Sequence, residues 1–195
     1  MPVPATEISD GKRAIMKTAA VLFARKGYSG VGTAELCAES GYGKGAFYHH
    51  IRSKEDLLLD IMTLYLHELL ADAEAILARE TGAEARITAL SLSLMRAIVQ
   101  DHDQMTVCFR EVHALSPDRR RGILRLHGDY FRLWERMMNE ARDAAQLRSI
   151  DADELKGILG MYFYSFLWVG PGREGDIEAL AAKFAALVLR ACRRD

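Results

Sequence analysis

Cys108 and His113 stand five residues apart with Arg110 and Glu111 between them. A thiol and an imidazole are the parts of a nucleophile and its base, but an activated pair needs hydrogen-bond reach and a third group to orient the base. The spacing supplies neither, and no Gly-rich phosphate loop, HExxH pair or nucleophile elbow accompanies it, so an enzyme is the lesser reading. Arg110 and Glu111, with His113 close to one helical turn away, read as a polar clamp on the head of a bound molecule or, more plainly, as a solvated or ion-paired helix face. Arg119, Arg120 and Arg121 would attract a phosphate-bearing ligand, although a solvent-facing cluster at a helix start is the simpler reading. His49 and His50 are adjacent, so their rings do not share a helix face, and no further ligands stand at metal spacing. Neither a metal nor a cofactor is expected. Cys37, Cys108 and Cys192 are odd in number and far apart, which excludes a disulfide scaffold and a CxxC centre and suits a reducing compartment.

These residues must be positioned by helices. The chain has 195 residues, 50% hydrophobic and 27% charged, enough for one or two folded domains. Its formal charge of -1 excludes a uniformly basic nucleic-acid binder. The balance is uneven: residues 1–57 carry eight Lys or Arg against six acids, leaving the remainder acidic. No apolar leader or membrane-length run is present, so a soluble, cytoplasmic protein with no membrane partner is expected.

Helical spacing of Ile15, Ala19, Leu22 and Phe23 predicts a first helix from Ser9 or Asp10 to Gly27. Thr33 is placed to cap a second, through Leu36 and Cys37 to about Gly41, and a short third spans 44–50. Ser53, with Asp56 in the first turn, caps a helix reaching about Arg79, roughly 40 Å at about 1.5 Å per residue. Further helices are expected over 83–99, 105–115, 117–146, 151–169 and 177–190. Gly122 and Gly128 weaken the third of these segments, Gly157 and Gly160 suit close backbone approach, and Gly170–Asp176 form a turn. The fold class is all-α, with about nine helices.

The stretch VLFARKGYSGVGTAELCAESGYGKGAFYHHIRSKEDLL, residues 21–58, resembles the DNA-binding segment of the TetR-type transcriptional repressors. Phe23 to Tyr28 resemble the family's end of helix one, Thr33, Leu36, Ala38 and Gly41 its second helix and turn, Lys44 to His50 its recognition helix, and Ser53 to Leu57 the opening of the next. The resemblance implies a helix-turn-helix head over 1–53, an effector-binding and dimerisation domain over 54–195, and a homodimer on a palindromic operator. In the simplest geometry its half-sites repeat about 34 to 36 Å apart. It implies phosphate contacts for Tyr48, His49 and Lys54, a base-facing place for Lys44, Gly45 and Ala46, and an orienting role for Thr33. Gly43 replaces a common Ser or Thr cap and Ala46 a common Thr, so discrimination leans on Lys44, apolar contact or DNA shape. Phe47 reads as core rather than a DNA wedge. Lys12 and Arg13 read equally as solvated residues or as a basic extension reaching DNA.

The remainder resembles the family's ligand-binding region. Cys108, Tyr130, Trp134, Tyr162 and Phe166 are the candidates for an effector pocket, among many aromatic and Met residues that also serve core or dimer packing. The effector expected is a small apolar or aromatic molecule, with an acyl-CoA as the secondary idea. The resemblance further implies a four-helix dimer interface, to which Tyr164, Leu167, Trp168, Leu180, Phe184, Leu187 and Val188 are assigned, alongside packing of the same residues within the chain. The leading reading is thus a ligand-responsive repressor released from DNA when an effector shifts the dimer's geometry. A helical scaffold or adaptor is the rival outside the enzyme class.

Overall fold

The computed structural model describes residues 8–169 and 176–194, which form nine α-helices and no strand among the described residues. The N-terminal tail with Pro2 and Pro4 and most of the expected 170–176 turn lie outside them. The described chain divides into two compact units, one taking the chain up to Glu68 together with Asp103–Leu126, the other Leu69–His102 and the chain from His127 onward.

In the first unit, helix α1 (Asp10–Lys26) starts where Ser9 Oγ accepts the Lys12 N–H at 3.3 Å and buries Ile15, Ala19, Leu22 and Phe23. Helix α2 (Thr33–Ser40) is capped by Gly32, so Thr33 is its first helical residue rather than the expected cap. Helix α3 (Lys44–His50) follows, with Gly43 at its cap position offering no side-chain bond and Phe47 as its buried residue. Helix α4 (Lys54–Arg79) opens as the sequence predicts: Ser53 Oγ accepts the Asp56 N–H at 3.0 Å and donates to the Asp56 carboxylate at 2.7 Å. Its first half stays in this unit, where Leu57, Leu58, Ile61 and Met62 are buried with residues of α6 (His102–Arg110) and the start of α7 (Pro117–Asp143). The expected helix over 105–115 is therefore shorter, ending in a 3-10 turn at Val112–Ala114. The residue before a proline is pushed out of helical geometry, so the chain must leave the helix ahead of Ser116 and re-enter at Pro117.

The second unit holds the end of α4, α5 (Ala83–Gln100), the rest of α7, α8 (Ala152–Tyr164) and α9 (Ile177–Ala191). Gly82, at φ +83°, breaks the chain ahead of α5, and Gln146 Oε1 accepts the Ala83 N–H at 2.7 Å in place of a local cap. Helix α7 runs unbroken through Gly122 and Gly128. Asp151 and Glu154 form a reciprocal capping box on α8, which gives way to a 3-10 turn at Ser165–Leu167. Helix α5 packs against α9, and Ile87, Leu90, Leu94, Trp134, Met137 and Tyr162 are buried. A Cβ on Gly157 or Gly160 would meet nothing within 4 Å, so the close approach expected of these glycines is not made among the described residues. The first turns of α4 fall in the first unit, on the far side of residue 53. Among the described residues no helix is long and apolar enough to cross a membrane.

Candidate functional site

Helix α3 has a single fully buried side chain. Phe47 is 1% exposed, while Lys44, Gly45, Ala46, Tyr48 and His49 all face outward. One bulky anchor on seven residues leaves nearly the whole circumference of the helix free to meet another surface. His50 turns the other way: its Nδ1 lies 3.4 Å from Ser9 Oγ and its ring packs edge-on to Tyr42, so His49 faces outward while His50 is half-buried. Thr33 is half-buried at the start of α2.

Lys54 was expected at phosphates, and the structure gives its ammonium another task. Nζ donates to the carbonyls of Tyr28 and Val31, each at 2.7 Å, and lies 4.0 Å from the centre of the Tyr28 ring. Burial pulls the Lys54 pKa down, without displacing the charge from its two acceptors. The turn that delivers α2 is thereby tied to the first residue of α4. Lys12 and Arg13 are likewise spent on α4, pairing with Asp60 at 2.6 Å and Glu68 at 3.4 Å, so neither is a loose basic extension.

A second tie joins the first turns of α4 and α7. Glu55 Oε1 accepts the Ser116 N–H at 2.8 Å, and Arg119 pairs with Glu55 at 3.3 Å and with Asp56. The Ser116 backbone bond holds the Glu55 carboxyl below its ordinary value. Burial alone would raise Asp56, but bonds from Ser53 and Arg119 hold it low as well. The three-arginine run is thus divided: Arg119 faces the α4 acids, Arg121 pairs with Asp118, and Arg120 is exposed.

Cys108 is 1% exposed in the first unit, its Sγ–H directed at the Met62 carbonyl at 3.9 Å, and burial drives its pKa upward. His113 sits exposed in the 3-10 turn. A thiol kept protonated and turned to a carbonyl is no nucleophile. The other four pocket candidates lie in the second unit. Tyr162 is enclosed by Trp134 and Phe184, with ring centres 6.0 and 5.1 Å away. Its hydroxyl bonds Ser91 Oγ at 2.6 Å, and burial pushes its pKa up to about 12. Tyr130 packs edge-on to Phe163 and is also raised by burial, while the half-buried His127 is held below its ordinary value by desolvation. Phe166 is half-buried, and its carbonyl accepts the His102 Nε2–H at 3.2 Å. Ser91 was not expected here; a lone hydroxyl on the apolar stripe of Ile87, Leu90 and Leu94 was the available signal.

None of the five pocket candidates lines the open groove of about 1270 Å³ between α5 and α9, which is walled by Arg79, Gly82, Ala85, Leu92, Leu189 and Arg193 among others. Of the residues assigned to dimerisation, Tyr164 is 70%, Leu167 59%, Trp168 54% and Leu187 45% exposed. Leu180 is half-buried, whereas Phe184 and Val188 face their own unit's core.

Residues 15–61 match the family described as bacterial regulatory proteins, tetR family, and residues 80–192 match the tetracyclin repressor-like C-terminal domain. The HTH-type transcriptional repressor KstR2 of Rhodococcus jostii is 25% identical over 194 residues, covering 96% of this chain and 95% of its own length. Among solved structures, the ketosteroid transcriptional regulator KstR2 of Mycobacterium tuberculosis superposes with a TM-score of 0.86 at 21% identity, covering 97% of this chain and 98% of the other. AibR, solved in complex with isovaleryl coenzyme A and operator DNA, gives a TM-score of 0.79 at 22% identity over 91% of this chain and 97% of its own.

Proposed function

The chain belongs to the TetR family of DNA-binding transcriptional repressors, a family of regulators and not of enzymes, and from that premise we propose that it acts as a homodimer at a palindromic operator and leaves it on binding a small effector. The observation that carries this reading is the outward face of α3, where every residue except Phe47 and His50 is exposed. In a helix-turn-helix head the second helix enters the major groove, its N-terminal residues meeting base edges. Lys44, Gly45 and Ala46 take that place, Lys44 supplying the side-chain donor. Tyr48 and His49, one turn on, contact phosphate, and Thr33 contacts the backbone from the start of α2. Lys54 serves the interface indirectly, by fixing the turn between α1 and α2.

The exposed Tyr164, Leu167, Trp168 and Leu187 support dimerisation through α8 and α9, since large apolar side chains left open on one surface favour a partner. The aromatic group of Tyr130, Trp134, Tyr162 and Phe166 supports an apolar or aromatic effector, with Cys108 as a further candidate. The acyl-CoA alternative draws on AibR, solved with isovaleryl coenzyme A, rather than on the arginine run, two of whose members are paired with acids. The proposed site of action is the cytoplasm.

Selection of bound duplexes from a random library by the purified protein, at fixed salt, tests the reading. Enrichment of a palindrome bound by a dimer is the expected result. A folded, dimeric protein that enriches no sequence without a ligand would move the weight to an assembly role or to a required co-ligand.

A further inference from the structure

No residue assigned to the effector or to the dimer lines the open groove of about 1270 Å³ in the second unit. The groove continues along α5 into a smaller cleft of about 350 Å³ against the end of α4, and the two share Arg79, Ala89 and Leu92. Together they follow α5 from Gly82 to Asp101, about 27 Å by the helical rise. On the α5 side Ala85, Thr88, Ala89, Leu92, Ser93 and Arg96 recur at helical spacing as one face, and all are exposed or half-buried. Leu147 and Leu189 add apolar surface at the wide end. A trough of this form suits a helix better than a small molecule. Small ligands are held in pockets of about 300 to 1,000 Å³ that bury most of their surface, whereas this trough is larger and open. A helix about 10 to 12 Å across, lying on α5, would bury one apolar face there and keep the other in water.

Charge selects which helix. Of the arginines along the trough, Arg79 pairs with its neighbour Glu80 and Arg96 with Glu178, so both are answered within the chain. Glu84 stands at one end, Asp72 and Asp101 at the other. On the α9 wall Arg190 and Arg193 are exposed, and neither pairs with an acid among the described residues. An incoming helix is therefore met by two unanswered guanidinium groups along one side. Leu189 lies nearly opposite Leu187 around α9, so the trough and the proposed dimer surface occupy different flanks of that helix. We propose that the trough is a docking site for an amphipathic helix of a second, different protein, with its apolar seam against α5 and acidic side chains against Arg190 and Arg193. It gives the regulator a protein partner held apart from its DNA and effector sites.

A displayed library of random helical peptides, each as long as the 18 residues of α5, is selected on the purified full chain. The parent should enrich peptides with apolar residues at helical spacing and Asp or Glu along one flank. Ala89→Trp, which fills the middle of the trough, should enrich none of them. The double variant Arg190→Glu with Arg193→Glu changes two exposed positions, so it should unfold at the parent's temperature. It should bind the enriched peptides about tenfold or more weakly and select Lys or Arg on that flank instead. Both variants should keep the parent's affinity for duplex DNA, and the charge reversal decides the matter if Ala89→Trp fails to fold. A library that yields no binder would overturn the proposal. So would peptides without acidic bias, peptides that bind Ala89→Trp equally well, or peptides indifferent to the charge reversal. An assembly larger than a dimer, dispersed by the reversal, would assign the trough to a second copy of this chain and overturn it as well.

Discussion

An ammonium already donating to two backbone carbonyls is a poor phosphate hook, and that is the condition of Lys54. The role of Ser53 was legible from the sequence because its acceptor lies three residues away, whereas the partners of Lys54 are carbonyls of a turn more than twenty residues upstream, which carry no residue-type signal. The same holds for Lys12 and Arg13, whose acidic partners were visible only as members of a distant helix. Lys54→Met should therefore cost the head about 1 to 3 kcal/mol, the range for bonds to a charged donor, read by denaturant unfolding. DNA binding of the variant, measured under conditions where it is folded, should keep the parent's salt dependence. A phosphate-contacting Lys54 would instead lower the slope of log affinity against log salt by about one.

Helices α1, α4, α8 and α9 follow from periodicity and caps, and their expected limits stand within a few residues of the observed ones, except where α8 yields to its 3-10 turn. What periodicity missed is how elements tie together, since α7's first turn reaches α4's through one backbone amide and one guanidinium. That tie has a pH signature. Glu55 and Asp56 have folded-state pKa values held below their ordinary 4.5 and 3.8, so their contribution is fully present above those values and is lost as pH falls through the lowered ones. Arg119→Ala should cost about 1 to 2 kcal/mol at neutral pH, discounted because the pair is partly exposed. The gap between parent and variant, followed by denaturant titration, should narrow as pH falls through the lowered carboxyl values. A gap that does not change with pH would mean that Arg119 acts through packing alone.

For the molecule as a whole, family and fold class were legible because both rest on local patterns: the Lys44–His50 motif between glycine-bounded helices, and helical spacing throughout. The division into units was not, because the first is closed by residues 103–126, far along the chain from the motif that marks it. Dimerisation belongs to this scale. Tyr164 and Leu187 are 70% and 45% exposed, so changing both to Glu should spare the subunit's fold. Sedimentation should then show a monomer, with binding to a two-fold site weakened about a hundredfold by loss of the second head. A variant that sediments as a dimer would move the interface to another face. The discontinuity of the first unit also sets a timetable for synthesis. After Glu68 leaves the ribosome, 58 more residues must be made before Leu126 follows, a wait of about 3 to 12 s at about 5 to 20 residues per second. Through that interval the first unit lacks the segment that completes it, and Glu55 and Asp56 wait for Ser116 and Arg119.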